Sequence, residues 1–293
     1  MSQRLRELRA SPGGRFFGTS ADGKTIRIWD AQTLQEIRRV EPGFSGGKWR
    51  FIIEAERPWI FSGTWEGGLS CVDYMKGLPV WSRSDLVGVQ GVSVSKAFRN
   101  SVFVWLESPD QRENEPGIFT GVVELDASTG RLLWTEDAHE VYLHPRLPWI
   151  VLVDRLREEV KVLDETRCLV GSIHMTHFAV LDVAFADDAV ALSEGAKGVR
   201  IIDSNAALIA SYLPKDREAS CQEIAFIEGA DLLAVHSWGS YVTLLDYAGE
   251  VANEYRRDCH GSICFINGGA QFVDEAGRVF STLTGKHDKS LTL

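Results

Sequence analysis

Six apolar runs along the chain end in an aspartate and then turn: IRIWD at Asp30, LSCVD at Asp73, GVVELD at Asp126, VKVLD at Asp164, VRIID at Asp203 and VTLLD at Asp246. A seventh run, RVFSTLTGK, carries Ser281 at the corresponding place. Successive copies lie 43, 53, 38, 39, 43 and 35 residues apart. A mean period of about 42 residues that fills the chain is the signature of propeller blades. The pattern predicts an all-β, seven-bladed β-propeller of four-stranded antiparallel blades, forming a single domain over residues 1–293.

Blade one shows how a repeat is built. Residues 15–20 (RFFGTS) read as a strand, Ala21-Asp22-Gly23 as a tight turn, and 24–30 as the next strand. Asp-Gly between two apolar-rich strands marks a hairpin, because glycine accepts the positive φ of the turn. Asp30 opens a second turn, and 34–40 returns as a strand. Blade three spells this second turn as Asp126-Ala-Ser-Thr-Gly130, in which the carboxylate can accept from N–H groups ahead of it. The recurring aspartates therefore read as turn chemistry. Innermost strands are expected at 51–54, 92–95, 141–144, 181–185, 223–227 and 262–266. Second strands are expected at 59–65, 102–107, 149–154, 189–194, 232–237 and 271–274. Residues 4–9 alternate as a helix or a strand would; a strand there supplies the inner strand of blade one. The last outer strand then falls at 287–293, and the termini do not interlock.

Composition changes this picture little. Hydrophobic residues make up 44% and charged residues 25%, ordinary for a soluble globular chain. No apolar run approaches the ~20 residues of a membrane helix. The N-terminal MSQRLRELRA has no apolar segment after its arginines, so a cytoplasmic location is expected. Five scattered cysteines form no CxxC pair; four fall in predicted strands and read as buried free thiols. A net charge of −10 argues against nucleic acid, which requires a basic footprint.

DGKTIRIWD in blade one, with its Trp29-Asp30 pair, resembles a WD repeat. His139, His177 and His260 precede inner strands where that family keeps a histidine, although the glycine before it is missing. Blades two and three look more like pyrroloquinoline-quinone-type repeats: Asp73-Tyr-Met-Lys-Gly77 leads to Trp81, and Asp126-Ala-Ser-Thr-Gly130 leads to Trp134. The resemblance implies the propeller fold. The quinone enzymes of the second family are larger, exported and carry vicinal cysteines, so no quinone and no other cofactor is expected.

The chain contains no GxSxG, HExxH, Walker loop or GxGxxG. Gly43-Phe-Ser-Gly-Gly-Lys48 reads as a loop between blades. His174, His177 and Cys259-His260 are too dispersed for a structural zinc site. The inner strands offer Glu54, His144, Asp182 and Glu223, which leaves open a small lactonase, lyase or hydrolase with its site at the channel mouth.

A protein partner is the leading expectation. Turns between second and third strands carry an acid in six of seven blades: Asp22, Glu66, Asp110 with Glu113 and Glu115, Glu158, Glu194 and Glu275. These residues cap hairpins or form an acidic ring that attracts a basic protein. Trp65 and Trp238 flank such turns, and Trp49 enters blade two; exposed tryptophans anchor binding patches. Residues 109–117 (PDQRENEPG) form a polar insertion on the same face. The chain is thus expected to be monomeric on its own and to bind as a scaffold or as an inhibitory, immunity-type protein.

Overall fold

The computed structural model describes residues 5, 7–21, 24–41, 49–54, 56–64, 68–107, 121–175, 180–214, 220–238, 241–256 and 261–291, with the backbone alone at Trp49 and Arg50. Their strands form seven four-stranded antiparallel sheets, each running in chain order from its first to its fourth strand. The fold is a seven-bladed β-propeller. Among the described residues no sheet mixes strands from the two ends of the chain: blade one begins with the strand Glu7–Ala10 and blade seven ends with His287–Ser290.

The chain divides into two compact units, Leu5–Asp154 and Arg155–Leu293. In the first, blade one comprises Glu7–Ala10, Phe16–Ser20, Ile26–Asp30 and Glu36–Val40. Blade two comprises Trp49–Ile53, Trp59–Thr64, Gly68–Asp73 and Leu78–Arg83, and blade three Val89–Ser93, Ser101–Leu106, Gly121–Asp126 and Leu132–Glu136. Blade four begins here with Glu140–Leu143 and Ile150–Asp154. In the second unit blade four continues with Glu159–Leu163 and Leu169–His174. Blade five comprises Asp182–Phe185, Ala189–Ser193, Val199–Asp203 and Leu208–Tyr212, and blade six Cys221–Ile227, Leu232–Ser237, Tyr241–Leu245 and Val251–Arg256. Blade seven comprises Ile263–Ile266, Gln271–Asp274, Arg278–Ser281 and His287–Ser290.

Within each unit the core lies between neighbouring blades. Second strands such as Ile150–Asp154 and Ala189–Ser193 are buried at every position, because a sheet covered on both faces needs continuous apolar runs. Phe61, Leu69 and Cys71 of blade two pack on Val92, Val104 and Val123 of blade three, and Ala191, Val199 and Ile201 of blade five on Ile224, Leu233 and Val235 of blade six. Each fully buried side chain of this size contributes roughly 1.5–3 kcal/mol. Gly18 permits a close approach, since a Cβ there would lie 2.3 Å from the Phe51 ring of the next blade. Fourth strands are largely exposed, as in Glu36–Val40 and Val251–Arg256.

All six aspartates hold their turns, in two geometries. In blades one to three Oδ1 accepts from the N–H groups two and three residues on: Gln32 and Thr33 to Asp30, Met75 and Lys76 to Asp73, Ser128 and Thr129 to Asp126. The left-handed residue is the fourth after the aspartate: Leu34, Gly77 and Gly130. In blades four to six the acceptors serve positions two and four on: Thr166 and Cys168 to Asp164, Asn205 and Ala207 to Asp203, Ala248 and Glu250 to Asp246. There the left-handed residue is the third: Arg167, Ala206 and Gly249. Ser281 keeps the first geometry through Gly285, whose N–H donates to the Ser281 oxygen at 2.8 Å.

The buried Trp29 indole donates to Thr19 Oγ1 at 3.0 Å, and His139 lies 3.8 Å from Asp154 in blade four. The thiols of Cys71, Cys221 and Cys264 are buried, as expected, whereas Cys168 is exposed because its residue closes the Asp164 turn.

Candidate functional site

Glu194 follows the second strand of blade five and is fully buried. Both its oxygens face Arg200, at 2.8 Å from Nε and 2.7 Å from Nη2, while Arg200 Nη1 donates to the His174 main-chain oxygen on blade four at 2.8 Å. Glu194 thus ties two blades together and leaves no carboxylate at the surface. Glu275 Oε1 accepts from the Ser262 N–H at 3.0 Å, fixing the entry to blade seven. Glu158 stands 3.5 Å from His174 Nε2. Each of these three acids has a local role. Asp22, Trp65, Glu66, Asp110, Glu113, Glu115 and the 109–117 insertion lie outside the described residues. Trp49 opens the first strand of blade two.

Trp238 is different. It follows the second strand of blade six and is 71% exposed. Its N–H donates to the Ser220 oxygen at 2.8 Å, which keeps it in register with the inner strand. Ser220 and Leu181 converge on Gly195: a Cβ there would lie 3.2 Å from both Ser220 Oγ and Leu181 Cδ1. Leu213 adjoins the other end of the same turn, its Cα 3.1 Å from where a Gly198 Cβ would stand. Leu181 is 45% and Leu213 60% exposed. This end of blades five and six therefore carries an exposed indole after the second strand of blade six and two exposed leucines at the ends of an internally neutralised turn of blade five. The position of Trp238 beside a turn was legible in the sequence. The two leucines were not, because each reads as the flank of a strand.

The polar inner-strand residues separate into structural and exposed groups. Buried Glu54 accepts from Arg57 Nη2 at 2.9 Å. His144 is buried with its ring edge-on to Trp149, and its Nδ1 accepts from the Arg146 and Leu147 N–H groups at 3.0 and 2.8 Å. Asp182 Oδ2 accepts from the Ile224 N–H at 2.8 Å, joining the inner strands of blades five and six.

Glu223 has another setting. In blade six Cys221 pairs with Ser237 and Ile224 with Val235, so three steps on one strand match two on the other. This bulge at Gln222 and Glu223 brings both residues opposite His236. Glu223 Oε2 lies 2.6 Å from His236 Nδ1. The histidine side chain is 5% exposed and the glutamate 26%. Asp182 and Glu223 thus meet different partners. Among the described residues no group of three His, Cys, Asp or Glu residues is placed to hold a metal ion.

No family model matches the chain, and no curated protein sequence does. Its fold is similar to that of the Myceliophteria thermophila Cps50 (Swd1) β-propeller domain, with a TM-score of 0.73 at 12% identity over 97% of this chain and 95% of that one. It is also similar to the computationally designed Ika8 protein, with a TM-score of 0.68 at 14% identity over 94% of this chain and 82% of that one. At these identities the likeness shows the β-propeller fold alone.

Proposed function

We propose that this propeller is a non-catalytic protein-binding module, a scaffold or an inhibitory, immunity-type partner, acting in the cytoplasm as a monomer that receives a basic protein. The observation that carries the reading is Trp238. A tryptophan exposed this fully is the kind of large amphipathic anchor on which binding energy concentrates. The net charge of −10 favours a basic partner through long-range attraction. Quantitative capture from the native lysate tests it, with wild type compared against Trp238→Ala and Trp238→Ala/Leu213→Ser. A partner held by wild type and lost from both folded variants, more weakly held at high salt, is the expected result. An unchanged set of captured proteins would reject this face.

A second reading, a small propeller hydrolase or lactonase, draws on the Glu223–His236 pair. A histidine within hydrogen-bond reach of a carboxylate is a common acid–base arrangement. Turnover of a lactone or simple ester by wild type, abolished in Glu223→Gln, would favour it; inactivity across such substrates would not.

A further inference from the structure

On the protein-binding reading above, we infer that Glu223 is the receptor for one cationic side chain, an arginine or a lysine, of the bound partner, with the Trp238 indole beside it. The bulge is what creates this receptor. In an unbroken strand Cys221 and Glu223 would share a face, and Cys221 faces the core between blades five and six. The extra residue turns Glu223 to the opposite face, toward His236, as bulges do when they re-aim a side chain.

The same face leads to Trp238. Because the ladder continues through the Trp238 N–H to Ser220, alternation sets residues 236 and 238 on one side of the strand. Buried His236 holds Oε2 of Glu223 at 2.6 Å. Among the described residues Oε1 takes no protein partner. A carboxylate fixed through one oxygen and open at the other is preorganised for a single charge-assisted hydrogen bond. An adjacent exposed indole adds attraction for a cation over its face. The charge of the chain, −10, makes a basic side chain the complementary occupant.

The test is selection of displayed random-sequence peptides on the intact protein, followed by affinity measurements on Trp238→Ala and Glu223→Gln, with folding verified by thermal unfolding. Enriched peptides are expected to carry an arginine or lysine beside an apolar residue and to lose measurable affinity on Trp238→Ala. They should lose about tenfold on Glu223→Gln, the effect of one charge-assisted contact. Citrulline or acetyl-lysine in place of the basic residue should cost the same about tenfold on wild type and nothing further on Glu223→Gln. Because this arm leaves the protein unaltered, it holds even where Glu223→Gln disturbs the bulge. Peptides that require Trp238 but tolerate both Glu223→Gln and the neutral replacements would overturn the cation receptor and leave the protein-binding face standing. Failure to enrich any Trp238-dependent peptide would overturn both.

Discussion

The indole N–H of Trp81 donates to the main-chain oxygen of Ala127 at 2.8 Å, joining the last strand of blade two to the aspartate turn of blade three. Arg83 Nη1 on the same strand donates to the Gly130 oxygen at 2.7 Å. Counterparts recur in the other unit, where the Tyr255 hydroxyl of blade six donates to the Thr282 oxygen in the turn of blade seven. The turns opened by Asp126 and Ser281 are therefore also docking points for the blade before each.

Gly130 has φ +69°, and a Cβ on it would lie 2.9 Å from the Trp81 ring. Gly130→Ala is expected to destabilise the protein by about 1–2 kcal/mol through the left-handed backbone alone, and further through the displaced indole. Trp81→Phe, which leaves the Ala127 oxygen without its donor, should cost about 1–3 kcal/mol. Urea unfolding of the two variants and their double mutant would check both. Additive losses would show that the turn and the indole act independently, against this account.

The buried Glu194–Arg200 pair makes a sharper prediction. Removing one partner strands a charge in the interior, which costs about 3–5 kcal/mol. Arg200→Met should therefore lower the urea midpoint strongly. Glu194→Leu/Arg200→Met should recover most of the loss, because an apolar pair of similar volume needs no compensation. A double variant as unstable as the single one would mean that the bond from Arg200 to the His174 oxygen dominates.

The blade pattern was legible in the sequence because each aspartate must stand at a fixed offset from the N–H groups that it binds. The division of those turns into two geometries was not. Arg167 and Ala206 occupy left-handed backbone at φ 67° and 63°, and neither residue type announces that conformation. The bulge in CQEIAFI was hidden for a related reason: the segment reads as a strand in either register, and only its pairing with Ser237 and Val235 reveals the extra residue. The acids between second and third strands were legible as positions but not as roles. Glu194 became structural through Arg200, a partner on the following strand.

The thiols should differ widely in reactivity. Burial pushes Cys71 up to about 12 and Cys221 to about 11, so both remain protonated at neutral pH and are shielded as well. Cys168 is exposed. Maleimide labelling at pH 7.5, mapped by peptide mass spectrometry, should modify Cys168 rapidly in the native protein and reach Cys71 and Cys221 only on unfolding. Equal labelling of Cys71 and Cys168 in the native state would contradict the packing between blades two and three.

Acid sensitivity should follow the turn aspartates. One oxygen of Asp126 accepts from the Ser128 hydroxyl at 2.6 Å, the Thr129 hydroxyl at 2.9 Å and both residues' N–H groups at 3.0 and 2.9 Å. These donors, the Ser128 hydroxyl foremost, hold its carboxyl below the ordinary aspartate range. The Thr166 hydroxyl does the same for Asp164, and the Lys76 N–H for Asp73. A carboxylate whose pKa is lower in the folded state adds stability that is fully present above its unfolded pKa of about 3.9. That contribution fades as pH falls from there through the folded value, because the unfolded chain takes up the proton first. Asp126→Asn should accordingly be less stable than wild type at pH 7, and the gap between them should narrow progressively below about pH 4. Urea midpoints of the two proteins measured from neutral pH into this acid range would decide the matter. A gap that stays constant with pH would show that Asp126 holds its turn by shape, without a contribution from its charge.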